Sequence, residues 1–326
     1  MINGKMVLFF LPLALSIAMT PMNGLSLDYP TREIEYIVGY GPGSSQDNVS
    51  RLVAKFSEKH VGKPIVVVNK PGGGGSRGFT TLAAGKPDGY TIGIFSISGI
   101  LQQYLMKGVT FHYRKSFRSI SQCAFTPVGV YVKKGSPYDV PLKDLVKMAK
   151  EKPDTIKVGI GGTWSSEDFV RAVFEDEAGM KCIRVPFTGG GTESVPALLG
   201  GHTDINFGAA PHWASLYKAG KVNVLAMTTE QRDPRFPNIP TFKENGYDVT
   251  IRNSYWVVAP AKTPDVVINF LAEAFRKGFA EQGYKDGIDN LGVIPVWTGP
   301  EEALRDMDKI DRMIQGVVKK YDLKPQ

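Results

Sequence analysis

Short apolar runs alternate with amphipathic stretches along most of this chain, and the alternation predicts strands and helices in turn. Ile34–Val38 is apolar except for Glu35, and residues 65–68 are a continuous β-branched run. Both fit strands covered on each face in a parallel sheet. Between them Val49, Leu52, Val53 and Phe56 recur at i, i+3, i+4 and i+7, which predicts an amphipathic helix ending near Gly62. The run from Gly72 to Gly75 reads as a flexible turn before a short helix at residues 80–84. Pro87-Asp88-Gly89 is a turn signal, and residues 90–95 form the next strand. This is a βαβαβ unit, the mark of a parallel α/β sheet.

The same order restarts further on. Residues 128–132 read as a strand, 141–151 as a helix, and 156–160 as a strand leading into a helix that Gly179 stops. Ile183–Pro186, the turn Gly189-Gly190-Gly191, a helix over 193–199 and strands at 205–207 and Val222–Met227 follow. A strand at 255–259 and two long helical segments, 265–281 and 301–321, close the chain. Two α/β units of this kind predict two lobes around a cleft, with ligands at the carboxyl ends of the strands.

A short pattern occurs twice at those strand ends. Gly41-Pro42-Gly43-Ser44-Ser45-Gln46-Asp47 follows the first strand, and Gly161-Gly162-Thr163-Trp164-Ser165-Ser166-Glu167-Asp168 follows the strand at 156–160. Each opens a helical segment. Glycines allow close backbone approach, and helix N-termini present unpaired N–H groups with partial positive charge. Two such turns facing each other predict a site for a small acid. Ser44 and Ser45 suit both an N-cap and an anion contact. Asp47 is expected to organise its turn, and Glu167 and Asp168 to complement the helix dipole.

Composition narrows the classes. The chain is 42% hydrophobic and 22% charged, with a formal charge of +7 that includes Lys5. Its basic residues form no block, and no RNP-like or zinc-finger spacing is present, so nucleic acid is not an expected partner. Lys5 followed by an apolar run over 7–19 reads as a secretory signal of about 26 residues, which predicts an exported, soluble, periplasmic protein. Cys123 and Cys182 give no disulfide framework and read as two separate thiols. His60, His112, His202 and His212 lack metal spacing, so neither metal nor cofactor is expected. The glycine run lacks the Gly-Lys-Ser/Thr ending of a P-loop, Gly-x-Ser-x-Gly is missing, and strand two ends in Asn69 where a dinucleotide fold carries an acid. Arg77 beside the glycine run is the one candidate for a cationic ligand contact.

Several segments in order resemble the extracytoplasmic receptors of tripartite tricarboxylate transporters, the Bug or TctC-like family. They are the first Ser-Ser turn, Val67-Val68-Asn69-Lys70-Pro71 with its glycine run, Pro87-Asp88-Gly89-Tyr90-Thr91, and Val185-Pro186-Phe187 with Gly189-Gly190-Gly191. Ala197-Leu198-Leu199-Gly200-Gly201 ending in Asp204, Ala259-Pro260-Ala261-Lys262-Thr263-Pro264, and Gly299-Pro300-Glu301-Glu302 complete the set. The resemblance implies a two-lobed periplasmic-binding-protein fold, a Venus flytrap of type II-like architecture. Lobe one would comprise residues 27–127 plus 251–326, and lobe two residues 128–250. It implies a monomeric receptor, not an enzyme, that captures an organic carboxylate by hinge closure and delivers it to a large and a small membrane subunit. A same-fold sensor domain and an exported enzyme are the alternatives.

By resemblance Gly43, Ser44, Ser45 and Asp47 form the first-lobe grip, and Thr163, Trp164, Ser165 and Ser166 the second-lobe loop. Gly190, Phe207 and Tyr255 complete the expected ligand contacts. The chain departs from the family pattern at Phe187-Thr188, where Tyr-Lys is common, and at Gly208-Ala209, where Asp-Asn is common. With Trp164 in the second loop, these departures predict an apolar-bodied or aromatic carboxylate. The missing acid at Gly208-Ala209 argues against an amino acid.

Overall fold

The structure, a computed structural model, describes Met1 and residues 28–320 and 322–325. The signal read at residues 1–26 lies outside the described residues apart from Met1. In the first half the elements are β1 Ile34–Val38, α1 Ser45–Val61, β2 Ile65–Asn69, α2 Ser76–Ala83, β3 Thr91–Ser96, α3 Ile97–Leu105, α4 Tyr113–Ser116 and β4 Phe117–Lys133. Next come α5 Leu142–Glu151, β5 Lys157–Ile160, α6 Ser166–Ala178, β6 Ile183–Pro186, α7 Gly191–Leu199, β7 Ile205–Ala209, α8 Ala210–Lys218 and β8 Val222–Met227. The chain ends with β9 Arg252–Pro260, α9 Asp265–Ala280, α10 Gln282–Asn290, β10 Ile294–Thr298 and α11 Pro300–Lys320.

The fold is α/β and two-lobed, and both lobes use one strand order. In the first, β1 lies between β2 and β3 in parallel, while β9 pairs antiparallel with β3 and with β4. In the second, β5 lies between β6 and β7 in parallel, while β4 pairs antiparallel with β7 and with β8. The orders β2-β1-β3-β9-β4 and β6-β5-β7-β4-β8 are therefore copies. Strand β4 belongs to both: residues 117–127 pair with β9, and residues 128–133 with β7 and β8. The segment between β8 and β9 is the second crossing.

The inner strands β1, β3, β5 and β7 are covered on both faces, whereas β2, read from its β-branched run as covered on each face, is an edge strand with Val66 exposed, as Ile183 is on the edge strand β6. Val49 and Val53 of α1 and Leu271 and Phe275 of α9 are buried together with Ile34, Tyr36 and Val38. Phe169, Val173 and Phe174 of α6 are buried with Val158, Ile160 and Phe207. Full burial of such side chains contributes roughly 1.5–3 kcal/mol each. Gly62 ends α1 in the left-handed region at φ 81°, its N–H bonding to the Glu58 carbonyl.

Several elements exceed the sequence expectation. The strand read at 128–132 is only the end of the 17-residue β4, because Pro127 and the polar residues Ser119, Ser121 and Gln122 mask the periodicity upstream. Those polar side chains are buried between β9 and the covering helices. Helices α3, α4, α8 and α10 and strand β10 were not foreseen; α3 buries Ser98 and Gln102 beside its apolar residues and so shows no polar face, and Pro211 and Pro295 read as breakers. Cys123 and Cys182 are both free thiols.

Candidate functional site

The two Ser-Ser turns have the same local structure, residue for residue. Ser44 caps α1 at φ −65°, ψ 162°, its hydroxyl accepting the Asp47 N–H at 3.3 Å; Ser165 caps α6 at φ −67°, ψ 170°, accepting the Asp168 N–H at 3.3 Å. Asp47 Oδ2 accepts the Gly43 N–H at 2.8 Å, and Asp168 Oδ2 accepts the Trp164 N–H at 2.8 Å. An N-cap hydroxyl contributes about 1 kcal/mol, and the aspartate ties the residue ahead of the cap to the first turn. Gly43 and Trp164 occupy equivalent places, both left-handed, at φ 79° and φ 51°. That conformation suits glycine and strains tryptophan.

The acids are held by different partners. Asn69 Nδ2 and Arg51 Nε donate to Asp47 at 2.9 and 3.0 Å. Burial alone would raise the Asp47 pKa, but Arg51, Gly43 N–H and Asn69 outweigh it and hold the carboxyl below its ordinary value. Asp168 is fully buried and paired with both Arg171 and Arg184 at 2.9 and 2.8 Å.

Between the lobes lies a small cavity of about 20 Å³. Tyr40, Ser44, Ser45 and Gln46 line it from the β1–α1 side, and Asn253 and Tyr255 from β9. Gly161, Ser166, Glu167, Gly190 and His212 line it from the second lobe. The N-termini of α1, α6 and α7 thus converge on one space. Within each, the first two helical N–H groups lack an intrahelical acceptor and are the natural donors to an anion. Ser45 Oγ and the Tyr255 hydroxyl are 2.7 Å apart, and Asn253 Nδ2 donates to that hydroxyl at 2.9 Å. Gln46 Nε2 donates to Ser96 Oγ at 2.9 Å. Burial raises the Tyr255 phenol well above its usual range, so it remains a neutral hydrogen-bonding group. Burial lowers the His212 imidazole pKa against the opposing pull of Glu167.

The cavity has room for about one water, because the lobes touch around it. The space beside Gly162 is filled by the backbone of Gly74, whose Cα would stand 2.9 Å from an added Cβ. A Cβ on Gly74 would collide with the Thr163 carbonyl oxygen. A Cβ on Gly41 would meet Gly189 only at an ordinary 3.9 Å. Within the glycine run it is therefore Gly74 that serves interlobe contact. Arg77 is exposed and lines a separate surface pocket.

Of the residues named from sequence, Ser44, Ser45, Ser166, Gly190 and Tyr255 line the cavity. Gly43, Asp47 and Ser165 stand behind it, shaping the turns, and Thr163 presents its carbonyl to Gly74. Trp164 and Phe207 do not reach it. Trp164 is 3% exposed, packed in the large apolar cluster that joins residues of both lobes, with its ring 5.5 Å from the Arg184 guanidinium. Phe207 is buried between Phe174 and Phe242. Sequence reasoning did not name Tyr40, Gln46, Gly161, Glu167, His212 or Asn253 as ligand contacts. Gln46 and Glu167 were legible as the same position of the doubled turn, and Asn253 as the neighbour of Tyr255 on one strand face. His212 had no signal, since it depends on the unforeseen α8. A larger cavity of about 460 Å³ lies beside the two chain crossings, lined among others by Phe125, Thr228, Arg252, Asp306 and Met313. Among the described residues no helix N-terminus lines it, and its Arg252 is paired with Asp306 at 2.7 Å.

Comparison with known proteins agrees with this architecture. A UPF0065 protein in the gbd 5' region of Cupriavidus necator is 26% identical over 310 residues, covering 95% of this chain and 94% of its own length. A solved periplasmic transporter structure superposes with a TM-score of 0.86 at 28% identity, covering 91% of this chain and 99% of that one. An R. palustris protein solved with adipate shares the fold at a TM-score of 0.86 and 22% identity, covering 92% of this chain and all of its own. Among the described residues no helix is long and apolar enough to cross a membrane. Residues 49–322 match the sequence profile described as the tripartite tricarboxylate transporter family receptor, and the chain belongs to that family.

Proposed function

We propose that this chain is an exported receptor that captures a small organic carboxylate between its lobes and delivers it, without chemistry, to the large and small membrane subunits of a tripartite transporter. The observation that carries this reading is the convergence of three helix N-termini on one interlobe cavity. Their free N–H groups and dipoles favour an anion there, each end contributing about 0.3–1 kcal/mol or more when shielded from water. Lobe one comprises residues 27–127 plus 251–326 and lobe two residues 128–250. The change of partners along β4 after Pro127 supports that division.

A cavity for one water admits an acid only when the lobes part, so capture proceeds by hinge opening and closure. The residues lining it are largely polar, and Trp164, whose place in the second loop supported an apolar-bodied ligand, lies in the core, as does the expected contact Phe207. The acid is therefore compact and polar. A thermal-shift screen of the mature protein against malate, citrate, aspartate and benzoate tests the proposal. A ligand at 100 times its Kd adds about 2.7 kcal/mol of stability, a shift of several degrees. Silence from every acid would overturn the receptor reading.

A further inference from the structure

The two jaws are alike in backbone and unlike in charge. Ser44-Ser45-Gln46-Asp47 matches Ser165-Ser166-Glu167-Asp168 position for position, and only the third residue differs. Glu167 is 6% exposed, lines the cavity, and accepts a hydrogen bond from Ser166 Oγ at 3.1 Å. The nearby guanidinium groups are engaged with other acids, Arg171 with Asp168 and Glu175, and Arg184 with Asp168. His212, the remaining basic group of the cavity, makes no ion pair among the described residues, and burial holds its imidazole pKa below the ordinary value. Among the described residues Glu167 thus has no ion-pair partner. Its place in the first turn of the 13-residue α6 favours a negative charge there, but that field brings no counter-ion.

Two further acceptors belong to the same lining. Gln46 Oε1 and Asn253 Oδ1 are buried with no donor, their amide N–H groups being turned to Ser96 and Tyr255. Gln46 is 6% exposed and Asn253 3%. Buried acceptors without donors are costly, and a buried charge without a partner more so. Glu167 and the two amide oxygens around one small space match a primary ammonium, which carries three N–H donors. A ligand carboxylate placed there would meet Glu167 with like charge.

We infer that the solute is a small zwitterion, its carboxylate on the free amides of α1 and its primary ammonium on Glu167, with Gln46 and Asn253 completing the cation's shell. This rests on the receptor reading above and narrows its ligand class. It also reverses the expectation drawn from Gly208-Ala209: the acid missing there is supplied from the other second-lobe loop.

Calorimetric titration at pH 7 with matched pairs tests it: aspartate against succinate, glutamate against glutarate, γ-aminobutyrate against butyrate. In at least one pair the aminated acid should bind about tenfold tighter or better. Glu167→Gln should abolish that preference, and Glu167→Asp should keep its sign. The wild-type comparison decides the matter even if a variant misfolds. Acids that bind with no amine preference, or a preference that survives E167Q, would overturn this inference alone. Silence across all pairs would overturn both it and the receptor reading.

Discussion

Asp47 and Asp168 do the same work in their turns, and the work is structural. Each accepts the N–H of the residue before the N-cap and anchors a charged or polar partner from elsewhere in its lobe. For Asp47 the folded pKa lies below the unfolded value of 3.8. The stability it adds is therefore complete above that value and is lost as pH falls through the folded one. Hydrogen bonds to a charged group are worth about 1.5–3 kcal/mol. Asp47→Asn should lower stability by about that much in urea unfolding at pH 7, with the deficit shrinking at pH 3; a variant equal to wild type at pH 7 would refute the role. Trp164 presents the opposite contrast. As a lid over the ligand it would be dispensable for folding, but buried in the core it is not. Trp164→Ala should cost about 3–5 kcal/mol, read from the denaturation midpoint. Intact stability with weakened binding would return Trp164 to the ligand site, as its place in the second-lobe loop led one to expect.

At the scale of elements, the parallel strands and their helices were legible because apolar runs and i, i+3, i+4 spacing mark element type, although the β-branched run of β2 overstated its burial, since that strand lies at the sheet edge. Strand β4 was half legible, since a strand passing between lobes buries polar residues such as Ser121 and Gln122 among other strands and loses its apolar pattern. The doubled turn was legible as an anion site because capping serines and glycines have local signatures. Glu167 was read as a helix-dipole acid for the same reason, and only the meeting of two lobes gives it a second role. His212 and Tyr40 became visible only in three dimensions. The glycine run is the clearest case of a motif whose reason lies outside its own element: Gly74 is bare because Thr163 of the other lobe lies against it. Gly74→Ala should weaken ligand binding by more than its stability loss accounts for, because closure is blocked by backbone. Gly41→Ala is the control, as its Cβ would meet Gly189 at an ordinary 3.9 Å. Equal affinity of the two variants would remove the closure role from the glycine run.

For the whole molecule, the repeated strand order and the repeated turn are one fact seen at two sizes. Two copies of a β2-β1-β3 frame each present a helix N-terminus at the carboxyl end of the first strand, and the shared β4 brings those ends face to face. Specialisation then rests on one residue per copy, the amide of Gln46 on one jaw and the carboxyl of Glu167 on the other. The most direct test of capture at these turns is a crystal structure grown with the tightest-binding acid of the panel. The account predicts its carboxylate within hydrogen-bond distance of the Ser45 and Gln46 backbone N–H groups, with Ser166 and Gly190 across from it. An acid seated instead in the cavity beside Arg252 and Asp306, with the two Ser-Ser turns unoccupied, would contradict it.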